Sequence, residues 1–570
     1  MGRHLVPPTG ECTHRLMTVR LWGLHTSYRG AIVGEPAISG KHQAIGTIYI
    51  QCTDYFNRKG VCMHSQIRSS LVGITLGALT LVACTPGPLP TSSTAANPDN
   101  PVAVSMSVPA SQWDPIATTN EVADNLYFSL VYDRLLTLDA SGALVPQLAE
   151  SYTMSEDNRQ ARFVIRPGAV FHDDSPVNAD AVVANLQRAK ASGKAVAANT
   201  LANVTDISTE GDLTVVIALE RPDPAFPAKV ATVATSIASP AAFADLGQKP
   251  VGSGPFRFVT SKADEVTTAR FDGYWNTDPR AAEIVVKSLP PTNTRLNALR
   301  SGAVDWMFVN LDAAAEITQF AEDPNYSVIQ KETSGVFALN LDTRDPVLAD
   351  ADVRKAISMA IDRESINTNL LGGMCTPTTQ PLGSGPGHID SLDETIVFDA
   401  DQARSILKSK APGGATINAV VASGTAAETI ARALQAQLAD VGVTLNVTVA
   451  DARSARPDFR AGQFDGLVQA VNAEVDPLVQ LQTNYAGPDA PGGADPQLQS
   501  LLAGAGTFAF GSPERTAALE SASEYLAANP VHPVICTVSN TYIAGPSVSG
   551  VDDMPMSSVL NPADVRPLMR

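Results

Sequence analysis

Residues 84–570 contain only three histidines, His172, His388 and His532, and these lie far apart. With no cluster of His, Cys and carboxylates at ligand spacing, neither a metal nor a cofactor is expected to organise this chain. The sequence also has no G-x-S-x-G elbow and no H-E-x-x-H, the common signatures of secreted hydrolases. Cysteine is as scarce: of six, Cys12, Cys52 and Cys62 precede Met63 and Cys84 closes an apolar run, leaving Cys375 and Cys536. Those two form either a disulfide or two isolated buried thiols, because bonding needs Cα atoms within about 7 Å and sequence separation is silent on that. Basic residues are in deficit. Residues 1–83 carry eight Lys/Arg and three Asp/Glu, so of the chain's 40 basic and 58 acidic groups 32 and 55 lie beyond Ala83, a net charge of −23 there. Such a surface repels phosphate backbones, and no nucleic-acid partner is expected.

What is present starts at Met63. After His64 and Arg68 come thirteen uncharged residues from Leu71 to Ala83, ending in Leu81-Val82-Ala83-Cys84. The run is too short to span a hydrocarbon layer, which takes roughly 20 helical residues, so it reads as a lipoprotein export signal with lipid attached at Cys84. The Pro- and Thr-rich stretch that follows reads as a surface tether. Signals of this kind act from the N-terminus, which makes Met63 the expected start and residues 1–62 an over-extended reading of the gene.

Beyond the tether, β-rich and helical patterns alternate. Strands are expected at 102–108, 161–165, 213–219, 256–259, 284–289 and 336–341, and helices at 121–137, 178–191, 293–301 and 351–371. Pro176 and the Asn178-Ala-Asp180 start suit a helix N-terminus. Residues 416–449 form a βαβ-like unit with its helix at 425–441, and the whole pattern implies α/β layers. His532 falls in an apolar, strand-like stretch. Arg166-Pro-Gly168 before Phe171 reads as a turn, and Asp174 tolerates the left-handed conformation a glycine would take there. Gly252-Ser-Gly-Pro255 lacks the Lys-Ser/Thr of a phosphate loop and reads as a segment where the chain returns between lobes.

Five patches occur in order: Trp113-Asp-Pro115 with Leu130-Val-Tyr-Asp-Arg-Leu-Leu136 and Pro146-Gln-Leu-Ala-Glu-Ser-Tyr152; Phe163-Val-Ile-Arg-Pro-Gly168 with Phe171-His-Asp-Asp174; Val251-Gly-Ser-Gly-Pro-Phe256 with Tyr274-Trp275-Asn276 and 295–305; Leu339-Asn340 with Asp352-Val-Arg-Lys-Ala-Ile357 and Ala360-Ile-Asp-Arg363; and 434–443 with Phe464-Asp465. Together they resemble the extracytoplasmic solute-binding proteins of ABC importers, the family 5 type that includes oligopeptide- and dipeptide-binding proteins. The resemblance covers nearly all of residues 100–550.

It implies an α/β, two-lobed periplasmic-binding-protein-like fold of class II, the large type with an extra domain, and a ligand cleft between the lobes. Residues 84–100 would be the tether, 101–140 and 248–325 parts of lobe I, 141–247 the extra domain, 326–530 lobe II, and 531–570 the return to lobe I. The implied function is capture, without catalysis, of an oligopeptide or dipeptide and delivery to permease subunits by a monomer lipid-anchored through Cys84 outside the cytoplasmic membrane. Peptide-binding relatives carry an acid in a tryptophan-rich segment that pairs with the peptide ammonium; here Gln469-Ala-Val-Asn-Ala-Glu-Val-Asp-Pro477 puts Glu474 in that place, Asp476 one register away, and Val471 where the tryptophan is expected. Thr119, Asn120, Asn310 and Asn340 are further pocket candidates carried over by position, each also readable as a turn or capping residue. The alternatives are the same fold with a metal chelate, sugar or modified peptide as cargo, a sensing or scaffolding lipoprotein, and a secreted hydrolase.

Overall fold

Two long strands that belong to both halves of one sheet define this architecture. The computed structural model describes residues 99–118, 121–139, 142–277, 280–309, 311–394, 397–493, 495–551, 554, 565, 568 and 569. Among these, ten strands form a single sheet in the order Val443–Ala450, Ala415–Ala422, Gly466–Val471, Ser327–Leu341, Val534–Ala544, Trp306–Val309, Pro101–Met106, Glu283–Ser288, Glu265–Arg270 and Phe256–Ser261. The first three are mutually parallel, with helix Ala426–Asp440 carrying the chain between the first two. Val534–Ala544, though late in sequence, sits in the middle of the sheet and is buried throughout.

Three cores follow from the apolar periodicity. Leu339, Ile357, Ile417, Leu434 and Ile535 gather on one side of the crossing. Val104, Leu130, Trp306 and Phe308 gather on the other. Phe163, Phe171, Val182 and Ile217 pack under a separate antiparallel sheet ordered Ala149–Met154, Gln160–Ile165, Thr214–Leu219, Val204–Thr209. Each fully buried side chain of this kind contributes about 1.5–3 kcal/mol.

Helix Ala179–Ala191 starts where the sequence suggests, with the Asn178 side chain accepting from the Ala181 amide at 2.9 Å. The helix expected over 351–371 is instead two, Ala351–Met359 and Arg363–Leu370. Asp362 caps the second by accepting from the Ser365 amide, and the break turns Arg363 inward, where its guanidinium donates to the carbonyls of Ser358, Ile361, Thr378 and Val534. The helix expected to reach Thr137 stops at Val131. Past it, the buried Asp133 carboxylate accepts from Gln147 Nε2 at 2.7 Å, Tyr274 OH at 2.9 Å and Trp275 Nε1 at 3.0 Å, so the first and third sequence patches meet on one group. Asp174 does take φ of +65°.

The Gly252–Gly254 loop leads from the four-stranded sheet back to Phe256–Ser261 of the large sheet. Its glycines serve close approach: a Cβ on Gly252 would lie 2.0 Å from the Val131 carbonyl oxygen, and Gly254 donates its amide to that oxygen at 2.9 Å. Gly252→Ala is predicted to destabilise the protein by about 3 kcal/mol. Unchanged thermal unfolding of that variant would show that the contact relaxes freely.

Cys375 and Cys536 are joined, with Cα atoms 5.6 Å apart, tying the loop after Gly373 to the central strand. His532 lies just before that strand and not within it. It is buried, accepting from the Leu341 amide on Nδ1 at 3.0 Å, so Nε2 carries the hydrogen and donates to the Asn484 carbonyl at 2.9 Å.

Candidate functional site

The crossing strands Ser327–Leu341 and Val534–Ala544 pair with each other on both sides of an irregularity. Their ladder joins Glu332 to Ser539, then Val336 to Thr537, leaving residues 333–335 out of register. Thr333 Oγ1 donates to the Val538 carbonyl at 2.7 Å across the gap. Gly335 is there because nothing larger fits: an added Cβ would stand 2.8 Å from the Val471 carbonyl oxygen and 3.2 Å from the Ala473 nitrogen. The end of strand Gly466–Val471 and the loop after it therefore rest directly on the interlobe crossing.

That loop shares an edge with two others. Because Ala415–Ala422, Val443–Ala450 and Gly466–Val471 are parallel and in close register, the segments 423–425, 451–454 and 472–476 all emerge at their carboxyl ends, where open α/β sheets hold ligands. Glu474 is exposed in the third segment. Asp476 is buried. Its Oδ1 caps helix Pro477–Tyr485 by accepting from the Leu478 amide at 3.0 Å, and its Oδ2 pairs with the buried guanidinium of Arg515. Arg515 in turn donates to the carbonyls of Ala505 and Phe508, so this ion pair holds the loop between two helices. Both Asp476 oxygens are thus engaged by the protein. Arg453 is exposed in the second segment, and Ser423, Gly424 and Thr425 are exposed in the first, with Gly424 donating its amide to Glu428. Sequence reading passed over these. The βαβ pattern at 416–449 was visible, and the turn after its first strand was the available signal.

Asn340, the remaining described candidate, lies elsewhere. It is fully buried opposite Leu467, four residues along the ladder from Val471 and roughly 13 Å away, and its Nδ2 donates to the Asp489 carbonyl. Asp489 is itself buried, and against the pull of burial it is held below the usual carboxylate value by hydrogen bonds from Arg460 and Arg456. Thr119, Asn120, Asn310 and Cys84 lie outside the described residues, as does the whole export signal. Val471 is wholly buried against Val336, Ala338 and Val534. A groove of about 500 Å³ between helices Arg363–Leu370 and Ala426–Asp440, lined by Ile366, Leu370, Ala433 and Ala436, shares no residue with the strand-end segments. Among the described residues, no three His, Cys, Asp or Glu are grouped to hold a metal ion, and no helix is long and apolar enough to cross a membrane.

The profile for bacterial extracellular solute-binding proteins, family 5 Middle, matches residues 143–492. The glutathione-binding protein GsiB of Pectobacterium atrosepticum is 28% identical over 368 residues, which is 62% of this chain and 69% of that protein. GsiB of Escherichia coli is 28% identical over 345 residues, covering 59% of this chain and 66% of its own length. Among solved structures, NikA from Brucella suis in complex with Fe(III)-EDTA superposes with a TM-score of 0.71 at 21% identity, over 83% of this chain and 100% of that one. A dipeptide-binding protein from Pseudoalteromonas in complex with Met-Leu gives a TM-score of 0.69 at 18% identity, over 83% and 100%. At those identities the structural likeness establishes the two-lobed fold, and the profile, spanning more than half of the chain, establishes the descent: this chain belongs to the bacterial extracellular solute-binding proteins of family 5.

Proposed function

We propose that this protein captures a small peptide or peptide-like zwitterion between its lobes and hands it to the permease of an ABC importer, held at the outer face of the cytoplasmic membrane by lipid on Cys84. The observation that carries the cargo reading is the pairing of opposite charges at one sheet edge. Glu474 and Arg453 are both exposed and follow strands two positions apart, a spacing of about 10 Å. An extended tripeptide, at about 3.3–3.6 Å per residue, carries its ammonium and carboxylate at a comparable separation, and a dipeptide falls short by one residue, within the reach of the long Arg453 side chain. Glu474 takes the ammonium, while Asp476, fixed by Arg515, positions the loop. Lobe closure then excludes water and strengthens both contacts. The relatives support this range of cargo, one being named for glutathione and another holding Met-Leu.

A non-peptide solute is the second reading. It is favoured by valine in place of the expected tryptophan, since the buried Val471 offers no ring to a peptide side chain.

Titration calorimetry with glutathione, Met-Leu and their N-acetylated forms tests the proposal. Glu474→Gln is expected to weaken binding of the free-ammonium compounds about tenfold, the size of one charge-assisted contact, and to leave the acetylated ones unchanged. Equal affinities of wild type and variant for every compound would remove Glu474 from the site. Mass spectrometry of envelope-purified protein, showing an acylated Cys84 and any co-purifying solute, tests the anchor and the cargo together.

A further inference from the structure

The helix that follows the Glu474 loop also touches the bulge of the interlobe crossing, through the Gln480 side chain. Gln480 is fully buried. Its Nε2 donates to the Ser334 carbonyl at 2.7 Å and to the Pro381 carbonyl at 3.2 Å, and its Oε1 accepts from Ser334 Oγ at 2.8 Å. Ser334 is the middle residue of the three that leave the ladder. Its carbonyl accepts a second bond from the Gly383 amide at 2.9 Å, and a Cβ on Gly383 would lie 2.5 Å from the Gly335 oxygen, so no space separates the two backbones.

An out-of-register stretch of strand leaves polar backbone groups that neighbouring strands cannot satisfy, and it is also where a sheet bends most easily. Gln480 satisfies those groups from a rigid element, one end of which is fixed by the Asp476–Arg515 pair. We propose that Gln480 is a positioning residue that couples the ligand loop to the hinge: its amide holds the 333–335 bulge in one geometry, and a solute that orders residues 472–476 restrains the crossing strands through the helix and this clamp. At the bulge Gln480 adds side-chain hydrogen bonds to the direct approach of Gly335 to Val471 and Ala473, while the same helix reaches Leu341 through His532. This inference rests on the placing of ligand at residues 472–476, but the clamp itself does not depend on which solute binds.

Hydrogen–deuterium exchange on the full chain separates the two. Without solute, Gln480→Ala should raise exchange of peptides from 330–340 and 534–540 about tenfold or more. Strands Ala415–Ala422 and Gln160–Ile165 should stay as in wild type. Ser334→Ala removes only the hydroxyl's bond to Gln480 Oε1 and should give a smaller rise in the same peptides, which keeps the test usable if the first variant folds poorly. With glutathione or Met-Leu added to saturation, wild type should gain protection at 330–340 and Gln480→Ala should gain clearly less. A uniform rise across the 415–471 strands would mean that Gln480 merely supports the lobe and would overturn the proposal, as would wild-type exchange at 330–340 in both variants. A normal solute-free result with no solute-induced protection in wild type would keep the clamp and discard the site at 472–476.

Discussion

Between pH 7.5 and 4.5 the protein is expected to lose about 5 kcal/mol of folding stability through two histidines alone. His532 and His172 are both buried, and burial pushes each down from 6.5 to about 4, against weaker opposing pulls from their carbonyl hydrogen bonds. His532 uses both ring nitrogens in the neutral form, and adding a proton to Nδ1 forfeits its bond from the Leu341 amide. His172 bonds the Gly254 carbonyl through Nε2 at 2.8 Å and meets the Phe271 ring edge-on, while its Nδ1 is buried without a partner among the described residues. In the unfolded chain each ring takes up its proton near 6.5, and in the folded chain only near 4. The unfolded state therefore binds more protons across that interval, and stability falls as pH falls, by about 3 kcal/mol per ring once pH is below 4. His388 acts in the opposite sense. Asp393, 3.2 Å away, holds it above its usual value, so its contribution is full in acid and fades as pH rises through the raised value. Urea unfolding at the two pH values measures the difference, and His172→Gln should remove about half of it. A flat profile in wild type would show that acid reaches these rings without unfolding the chain.

Removing the disulfide is expected to be nearly as severe. The bond joins residues 161 apart, and the chain-entropy argument assigns about 5 kcal/mol to a loop of that length, against the roughly 2–5 usually found on removing a native bridge. Both cysteines are fully buried, so reductant should act on the native protein only as fast as it unfolds. The Cys375→Ser, Cys536→Ser double variant should unfold at clearly lower urea, with the slope of the transition raised as its unfolded chain expands. Identical midpoints for oxidised wild type and the double variant would mean that the unfolded chain is equally restricted with or without the bridge.

How far the sequence could carry the argument depended on range. The strands at 416–449 and the capped helix after Asn178 were legible because β-branched alternation and an Asn side chain two or three residues from its target are local signals. The break at Asp362 was hidden because the apolar spacing runs through it, and what rewards the break is an Arg363 side chain reaching Val534 across 171 residues. Glu474 and Asp476 could not be told apart by pattern, being two residues apart in one acidic loop. What separates them is Arg515, 39 residues downstream, which pairs with Asp476 and buries it, whereas Glu474 is exposed. Gln480 gave no signal, since a glutamine on a helix is ordinarily a surface residue and only the bulge 146 residues away gives it a role.

The central position of Val534–Ala544 bears on the order in which the chain can fold. This strand lies between Trp306–Val309 and Ser327–Leu341, so a polypeptide emerging N-terminus first has made nine of the ten strands before the one that joins them exists. Until residue 544 is available, Trp306–Val309 and Ser327–Leu341 each present an unpaired edge, which invites pairing with another chain. The four-stranded sheet has no such dependence, since its last strand ends at Leu219. It can form early, while the two halves of the large sheet stay unjoined until the final stretch arrives.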